Sequence, residues 1–253
     1  MNKVFSILTS FQNRINRYLV LVILSAPLLY ACDSGKQRSI VILYENDVHC
    51  VLDGYARLCG LADAVSDTAW VGLTSSGDFL HGGTAGAISG GQFVVDIMKE
   101  MGYDAIGLGN HEFDFGTPHL TKLVEENGLP VVNMNLRSLH PDSLFFTPYI
   151  IKDFGGKKIA FVGVVTPVSL VSEVYSFVDK QGKQMLSLCE DNLVDEVQKT
   201  VNEARKAGAH YVILLSHLGE ASAKNFLTSH RLVSSTRGID VVLDGHTHSR
   251  IPC

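Results

Sequence analysis

The 253 residues are 46% hydrophobic and 19% charged with only 7 prolines, the make-up of a folded globular chain; this length favours one substantial domain with a sizeable core. Net charge is −5, but the first 31 residues hold three basic and no acidic side chains, so the remainder sets 18 basic against 26 acidic groups, a net of −8. That balance argues against nucleic acid as a partner, since phosphate neutralisation needs basic stripes, and leaves a phosphorylated small molecule open if bound cations reverse the local field.

In chain order, the first element is a targeting segment. Lys3, Arg14 and Arg17 precede an apolar stretch from Tyr18 to Ala31 that Pro27 interrupts; it is too short to span a bilayer, which takes about 20 helical residues. Its end, Leu29-Tyr30-Ala31-Cys32, resembles the lipobox of bacterial lipoproteins, where cleavage leaves Cys32 lipidated, although Tyr30 is bulkier than that motif usually carries. The expectation is a signal peptide over residues 1–31, a lipidated Cys32 with a tether to residue 38, and a domain over 39–253. That places the protein in a bacterial cell envelope, on the membrane. An ordinary secretory signal with an incidental cysteine is the other reading. Cys50, Cys59, Cys189 and Cys253 permit disulfides in an oxidising envelope, but spacing does not pair them, and none forms a CxxC.

Ile40 to Leu43 reads as a fully buried strand, and short apolar runs recur at Trp70 to Leu73, Ala105 to Leu108, Leu129 to Val132, Ile159 to Val165, Tyr211 to Leu215 and Val241 to Leu243. Helical patterns lie between. Gly91 to Met101 sets Phe93, Ile97 and Met101 on one face; Asp191 to Ala207 sets Leu193, Val197, Val201 and Ala204 on another, with Gly208 as the stop. Tyr149 to Phe161 reads as a hairpin around Gly155-Gly156. Alternating strands and helices with one hairpin predict a layered α/β domain.

Polar residues collect in the turns after these strands, where ligand sites of α/β folds gather. In Glu45-Asn46-Asp47-Val48-His49, an Asp and a His two apart on a strand would face one side and reach a common cation. Asp78 follows Gly77 and has two oxygens with which to bridge a pair of cations about 3.5–4 Å apart. Gly109-Asn110-His111-Glu112 supplies an amide oxygen at Asn110 and an imidazole at His111, with Asp114 one turn on to fix the ring. Ser216-His217 and Gly245-His246-Thr247-His248 add nitrogen ligands. Each alone has an ordinary explanation as a solvated turn or a core histidine; five such turns after five separate strands do not. Glu112 reads as a backbone acceptor or ligand orienter, His81 as a solvent-exposed turn residue, and Cys50 as a small apolar filler.

The series DxH, GD, GNHE, SH and GHTH resembles the calcineurin-like metallophosphoesterase family, and GNHEFDFG (109–116) with ILYENDVH (42–49) resembles its 5′-nucleotidase branch. The resemblance covers about Ser39 to Arg250. It implies two sheets packed face to face, flanked by helices, and two divalent metal ions (Mn, Zn or similar). Asp47, His49 and His248 would hold one ion, Asn110, His217 and His246 the other, and Asp78 would bridge them. His111 with Asp114 would form the catalytic dyad, with Asn110 and His111 also touching substrate. Some members carry Gln where His248 stands. The implied reaction is hydrolysis of phosphomonoesters of nucleotides or similar small molecules by in-line attack of a metal-bound hydroxide.

Two departures qualify this. Only five residues follow His248, where the family's domain continues through further strands, and the second domain by which 5′-nucleotidases hold the nucleoside is absent. The expectation is a chain truncated at its C-terminus, a split enzyme whose nucleotide-binding domain a separate protein supplies, or a domain acting alone on simpler substrates. Alternative functions are a cyclic-phosphodiester or sulfur-ester hydrolase on the same metal pair, or an inactive lipid-anchored fragment that binds metal or substrate.

Overall fold

The computed structural model describes residues 38–220 and 227–249, and the compact unit that carries every motif begins at Ile40. Cys32, the targeting segment and Cys253 lie outside the described residues. Strands β1 (Ser39–Glu45), β2 (Ala69–Ser75) and β3 (Ala105–Ile106) form one sheet in that order, with β2 and β3 parallel. Three strands, β4 (Leu136–Leu139), β5 (Asp142–Leu144) and β8 (Leu186–Leu188), make a small antiparallel sheet in the order β5-β4-β8. The remaining four, β6 (Tyr149–Phe154), β7 (Lys157–Val165), β9 (Tyr211–His217) and β10 (Val241–Asp244), form a mixed sheet in the order β10-β9-β7-β6. Of these, β10, β9 and β7 run parallel while β6 returns antiparallel through the expected Gly155-Gly156 turn, both glycines at positive φ.

Period-two alternation on β7 and β9 divides their side chains between two cores. Ile159, Phe161, Ile213 and Leu215 point to one side and meet Ile40 and Ile42 of β1, Ala105 of β3 and Val132, so the two larger sheets face each other across a shared apolar layer. Ala160, Val162, Val164, Val212 and Leu214 point to the other and bury Leu193, Val197, Val201 and Ala204 of α6 (Leu193–Lys206), the helical stripe expected from spacing. Helices α1 (Tyr55–Ser66), α2 (Gly83–Ser89), α3 (Gln92–Met101) and α4 (Thr117–Asn127) cover the outer face of the first sheet. Two short helices, α5 (Ser169–Ser172) and α7 (Ser229–Ser234), complete the set. The result is the sandwich of two sheets flanked by helices, a mixed α/β fold.

Three expectations need correction. β1 and β10 are not fully buried: both are edge strands, so one side of each lacks a neighbour and their side chains are half-buried at best. The helix over Gly91–Met101 buries Val94, Val95 and Met98, while Phe93 is 49% exposed, because the helix meets the sheet on a face rotated from the assumed one. Leu129–Val132 contributes only single bridges, Ile106 to Val131 and Val132 to Thr147, instead of a strand. Cys50, Cys59 and Cys189 are free thiols, and no helix among the described residues is long and apolar enough to cross a membrane.

Candidate metal centre

All five motif turns meet at one edge of the sandwich, at the ends of β1, β2, β9 and β10 and the turn after β3. The loop after β1 runs along the loop after β2: the Asp47, His49 and Cys50 N–H groups donate to the carbonyls of Gly77, Asp78 and Phe79. The second sheet is tied in by Ser76 Oγ, which donates to the Leu243 carbonyl at 2.8 Å, and by the His246 N–H, which donates to the two Asp47 carboxylate oxygens at 2.9 and 3.1 Å.

Asp47 and His49 do not alternate on an extended strand, as their spacing suggested. β1 ends at Glu45, and Asp47, His49, Cys50, Asp78, His246 and His248 all take positive φ, between 46° and 82°. Five of these six are candidate ligands. A non-glycine residue in the left-handed region costs of order 1–3 kcal/mol and persists only where its surroundings over-determine it. Here the left-handed backbone places these residues at the corners of three loops, after β1, β2 and β10, a placement an extended strand would not give.

The candidate ligands stand in overlapping groups around Asp78, with Asp47 near both His248 and His217. Asp47, His49 and His248 converge, with His49 Nε2 3.2 Å from His248 Nε2 and His248 Nε2 3.4 Å from Asp47 Oδ1. On the other side His217 Nε2 lies 3.1 Å from Asp78 Oδ2, and His246 Nδ1 lies 2.9 Å from Asn110 Oδ1. Asp78 Oδ2 is also 3.9 Å from His49 Nε2, so ligands on both sides reach this one oxygen. Its partner Oδ1 is engaged by the His111 N–H at 2.9 Å. Asp78, expected to bridge two cations, thus presents Oδ2 to His49 and His217 and Oδ1 to the His111 backbone.

His217 tests whether these residues fit a cation. The side chain is fully buried, its Nδ1–H donates to the Ser76 carbonyl at 2.8 Å, and Nε2 has no hydrogen-bond partner although two carboxylates surround it. In the neutral ring a lone pair on Nε2 would face carboxylate lone pairs, an arrangement only a proton or a metal ion resolves. Without a metal, burial alone would lower the His217 pKa, but contact with Asp78 and the charges of Asp78, Asp47 and Glu112 outweigh it and push the pKa up to about 9. Burial would likewise raise Asp78, yet His217 and the His111 N–H hold it down at about 2. Mixed imidazole, carboxylate and amide donors suit divalent ions of the Zn or Mn type.

Glycines allow the close approach of these loops. A Cβ on Gly77, at φ +100°, would stand 2.2 Å from the Gly109 nitrogen, and one on Gly109 would stand 2.1 Å from Asp78 Oδ1. Glu112, fully buried, accepts four backbone N–H bonds of 2.6–3.1 Å from Asp78, Phe79, Leu80 and Gly109, the backbone-orienting role expected of it.

Beside the ligands sits the dyad. His111 opens a short 3₁₀ turn that Asp114 closes, and His111 Nδ1 is 2.8 Å from Asp114 Oδ2. Burial works against the charged imidazole, but Asp114, Asp78 and Glu173 overcome it and raise the His111 pKa. His81 stands on a bend with its side chain 43% exposed, as expected of a turn residue, and its Nδ1 also closely contacts the same Asp114 oxygen, a contact the sequence did not foresee. The 32 residues between them carry no pattern that would have revealed it.

Fold and site together define a phosphoesterase scaffold with candidate metal-binding residues at one edge, and the chain belongs to the calcineurin-like phosphoesterase family, a metal-dependent family whose pattern matches residues 40–250. Among curated relatives it is 28% identical over 233 residues to a snake venom 5′-nucleotidase of Gloydius brevicauda, covering 83% of this chain and 37% of that protein. It is 31% identical over 170 residues to the 2′,3′-cyclic-nucleotide 2′-phosphodiesterase/3′-nucleotidase of Haemophilus influenzae, covering 62% of this chain and 25% of that one. The calcineurin-like phosphoesterase YfkN of Bacillus subtilis superposes with a TM-score of 0.70 at 22% identity, covering 84% of this chain and 73% of that structure. The chain thus spans well under half the length of these two curated relatives.

Proposed function

We propose that this chain is a phosphoesterase catalytic domain that uses two divalent cations to hydrolyse small phosphomonoesters, nucleotides among them. The observation that carries the reading is the cluster of overlapping ligand groups sharing Asp78 Oδ2, with the His111–Asp114 dyad at their side. Asp47, His49 and His248 would hold one ion and Asn110, His217 and His246 the other. When bound, such ions supply Lewis acidity and lower the pKa of coordinated water.

The chain's own residues do the rest. Asp114 fixes the His111 ring through Nδ1 and favours its charged form, so that Nε2 carries a proton for the leaving oxygen. The His111 backbone N–H holds Asp78, which ties the acid's position to that of the shared ligand. Glu112 fixes the backbone of both loops. Asn110 and His111 are neighbours in the chain beside the candidate ligands Asp78 and His246, and we read both as substrate contacts.

Nucleotides are favoured because both curated relatives described above carry nucleotidase names. A cyclic phosphodiester is the second reading, favoured by the name of the Haemophilus protein. The nucleoside end would need groups beyond the described residues, from more chain or from a separate protein. We read Cys32 as the lipid attachment that holds the domain at the envelope; labelled fatty acid incorporated by the wild type and lost in Cys32→Ser would support this, and equal labelling would refute it.

The direct test loads the full chain with Mn²⁺ or Zn²⁺ and assays nitrophenyl phosphate, AMP and a bis-ester side by side. Turnover is expected, with His111→Ala slower by roughly 10²–10⁴-fold and Asp78→Ala deficient in metal. No turnover of any ester with two metals bound would overturn the reading.

A further inference from the structure

We propose that His81 is a positioning residue for the leaving-group acid, holding Asp114 so that Asp114 in turn holds His111; this rests on the phosphoesterase reading above. Three side chains crowd one carboxylate. Asp114 Oδ2 meets both His111 Nδ1, at 2.8 Å, and His81 Nδ1, in a still closer contact. The carboxyl of Glu173, just after α5, faces Asp114 as well. Asp114 is only 14% exposed, so its charge is poorly hydrated and relies on these neighbours.

The arrangement needs His81 for two physical reasons. A carboxylate bonded to one imidazole can swing about its own χ torsions, and a second N–H on the same oxygen removes that freedom. Asp114 also faces the carboxyl of Glu173, which burial and then the hydrogen bond and charge of Asp114 hold towards the protonated form, and the His81 contact adds a donor to the same crowded carboxylate. His81 is itself held: its ring packs edge-on against Phe115 at 5.2 Å and 90°. Its backbone carbonyl accepts from Nδ1 of His49 at 3.1 Å. One residue therefore touches a candidate metal ligand through its backbone and the dyad through its side chain. Replacing the side chain leaves the carbonyl in place, so the two roles separate experimentally.

The reaction itself supplies the discriminating readout. Nitrophenolate departs readily without protonation, whereas an alkyl alkoxide needs a proton from the acid. In the metal-loaded full chain, His81→Ala is expected to slow kcat on an alkyl phosphomonoester such as glycerol phosphate by about ten- to a hundred-fold, and to slow nitrophenyl phosphate far less, with KM and bound metal retained. His81→Asn, whose amide N–H can replace Nδ1–H, should restore most of the alkyl-ester rate. In an Asp114→Ala background His81→Ala should cost nothing further, since the two act as a unit.

Equal slowing of both esters, no slowing of either, or additive losses with Asp114→Ala would overturn the proposal while leaving the phosphoesterase reading standing. An inert wild type with metal bound would instead defeat that reading and this inference with it. Loss of metal from His81→Ala would show that the side chain serves the metal site and not the acid, and would also overturn it.

Discussion

At the residue scale, two glutamates near the ligand loops, fully buried Glu112 and half-buried Glu45, lead to opposite expectations. Glu112 accepts four backbone N–H bonds, so Glu112→Gln sets an amide NH₂ against at least one of those donors and leaves it unpaired. A loss of about 1–3 kcal/mol is expected for the orphaned group, read as a Tm lower by several degrees in a chain of this size; an unchanged Tm would refute it. Glu45 ends β1 with both carboxylate oxygens buried beside the hydroxyls of Ser75 and Tyr103, neither in well-formed hydrogen-bond geometry. Burial, abetted by the charges of Glu112 and Asp47 and opposed by Ser75 and Tyr103, pushes its pKa up from 4.5 to about 8. The folded form therefore retains a proton that the unfolded form loses above about pH 4.5, so stability falls as pH rises through that window and levels off above 8. Glu45→Gln removes the window. In chelator-treated protein its Tm should match the wild type near pH 4.5 and exceed it increasingly towards pH 8; a constant difference across that range would show that Glu45 is not protonated in the fold.

At the element scale, the crossing of the loops after β2 and β3 is the tightest point of the site. Gly109→Ala places a methyl 2.1 Å from Asp78 Oδ1, within backbone that Glu112 and His111 have already fixed, so the carboxylate must move. Metal content should fall and activity drop by at least about ten-fold, as expected when a ligand's supporting contacts are lost, while α6 and the second sheet keep their far-ultraviolet signature. A fully loaded, active Gly109→Ala would show that the crossing tolerates relaxation. The same elements show what local pattern could reveal. The α6 stripe and the Gly155-Gly156 hairpin were legible because period and turn chemistry agreed. For α4 the boundary signals were present, Pro118 in the first turn and Gly128 at the end, but Thr117 to Asn127 carries too few apolar residues to announce a buried face. The small sheet of β4, β5 and β8 had no signal, as its exposed β5 alternates nothing.

At the scale of the whole molecule, the identities of the ligand-bearing residues were legible and their geometry was not. Order and residue type brought out seven polar side chains between Asp47 and His248, whereas the left-handed turns that aim five of them, and the contact between His81 and Asp114, arise only when loops far apart in sequence meet. That meeting leaves carboxylates and imidazoles with unsatisfied charge at one edge of an acidic domain, and it links cation binding to protons. In the metal-free protein His217, at about 9, keeps a proton on Nε2 through neutral pH. A metal needs that lone pair, so loading at pH 7 to 8 must expel the proton. Calorimetric titration in two buffers of different ionisation enthalpy should report release of about one proton per His217 site, and affinity should weaken about ten-fold per unit as pH falls below 9. The sign follows from competition: lower pH favours the proton over the cation. Removing metal with a chelator should also lower Tm, because a ligand that binds only the folded state stabilises it by mass action. Metal uptake without proton release would mean that Nε2 of His217 is free in the metal-free fold, and that the two carboxylates beside it are balanced by some other group.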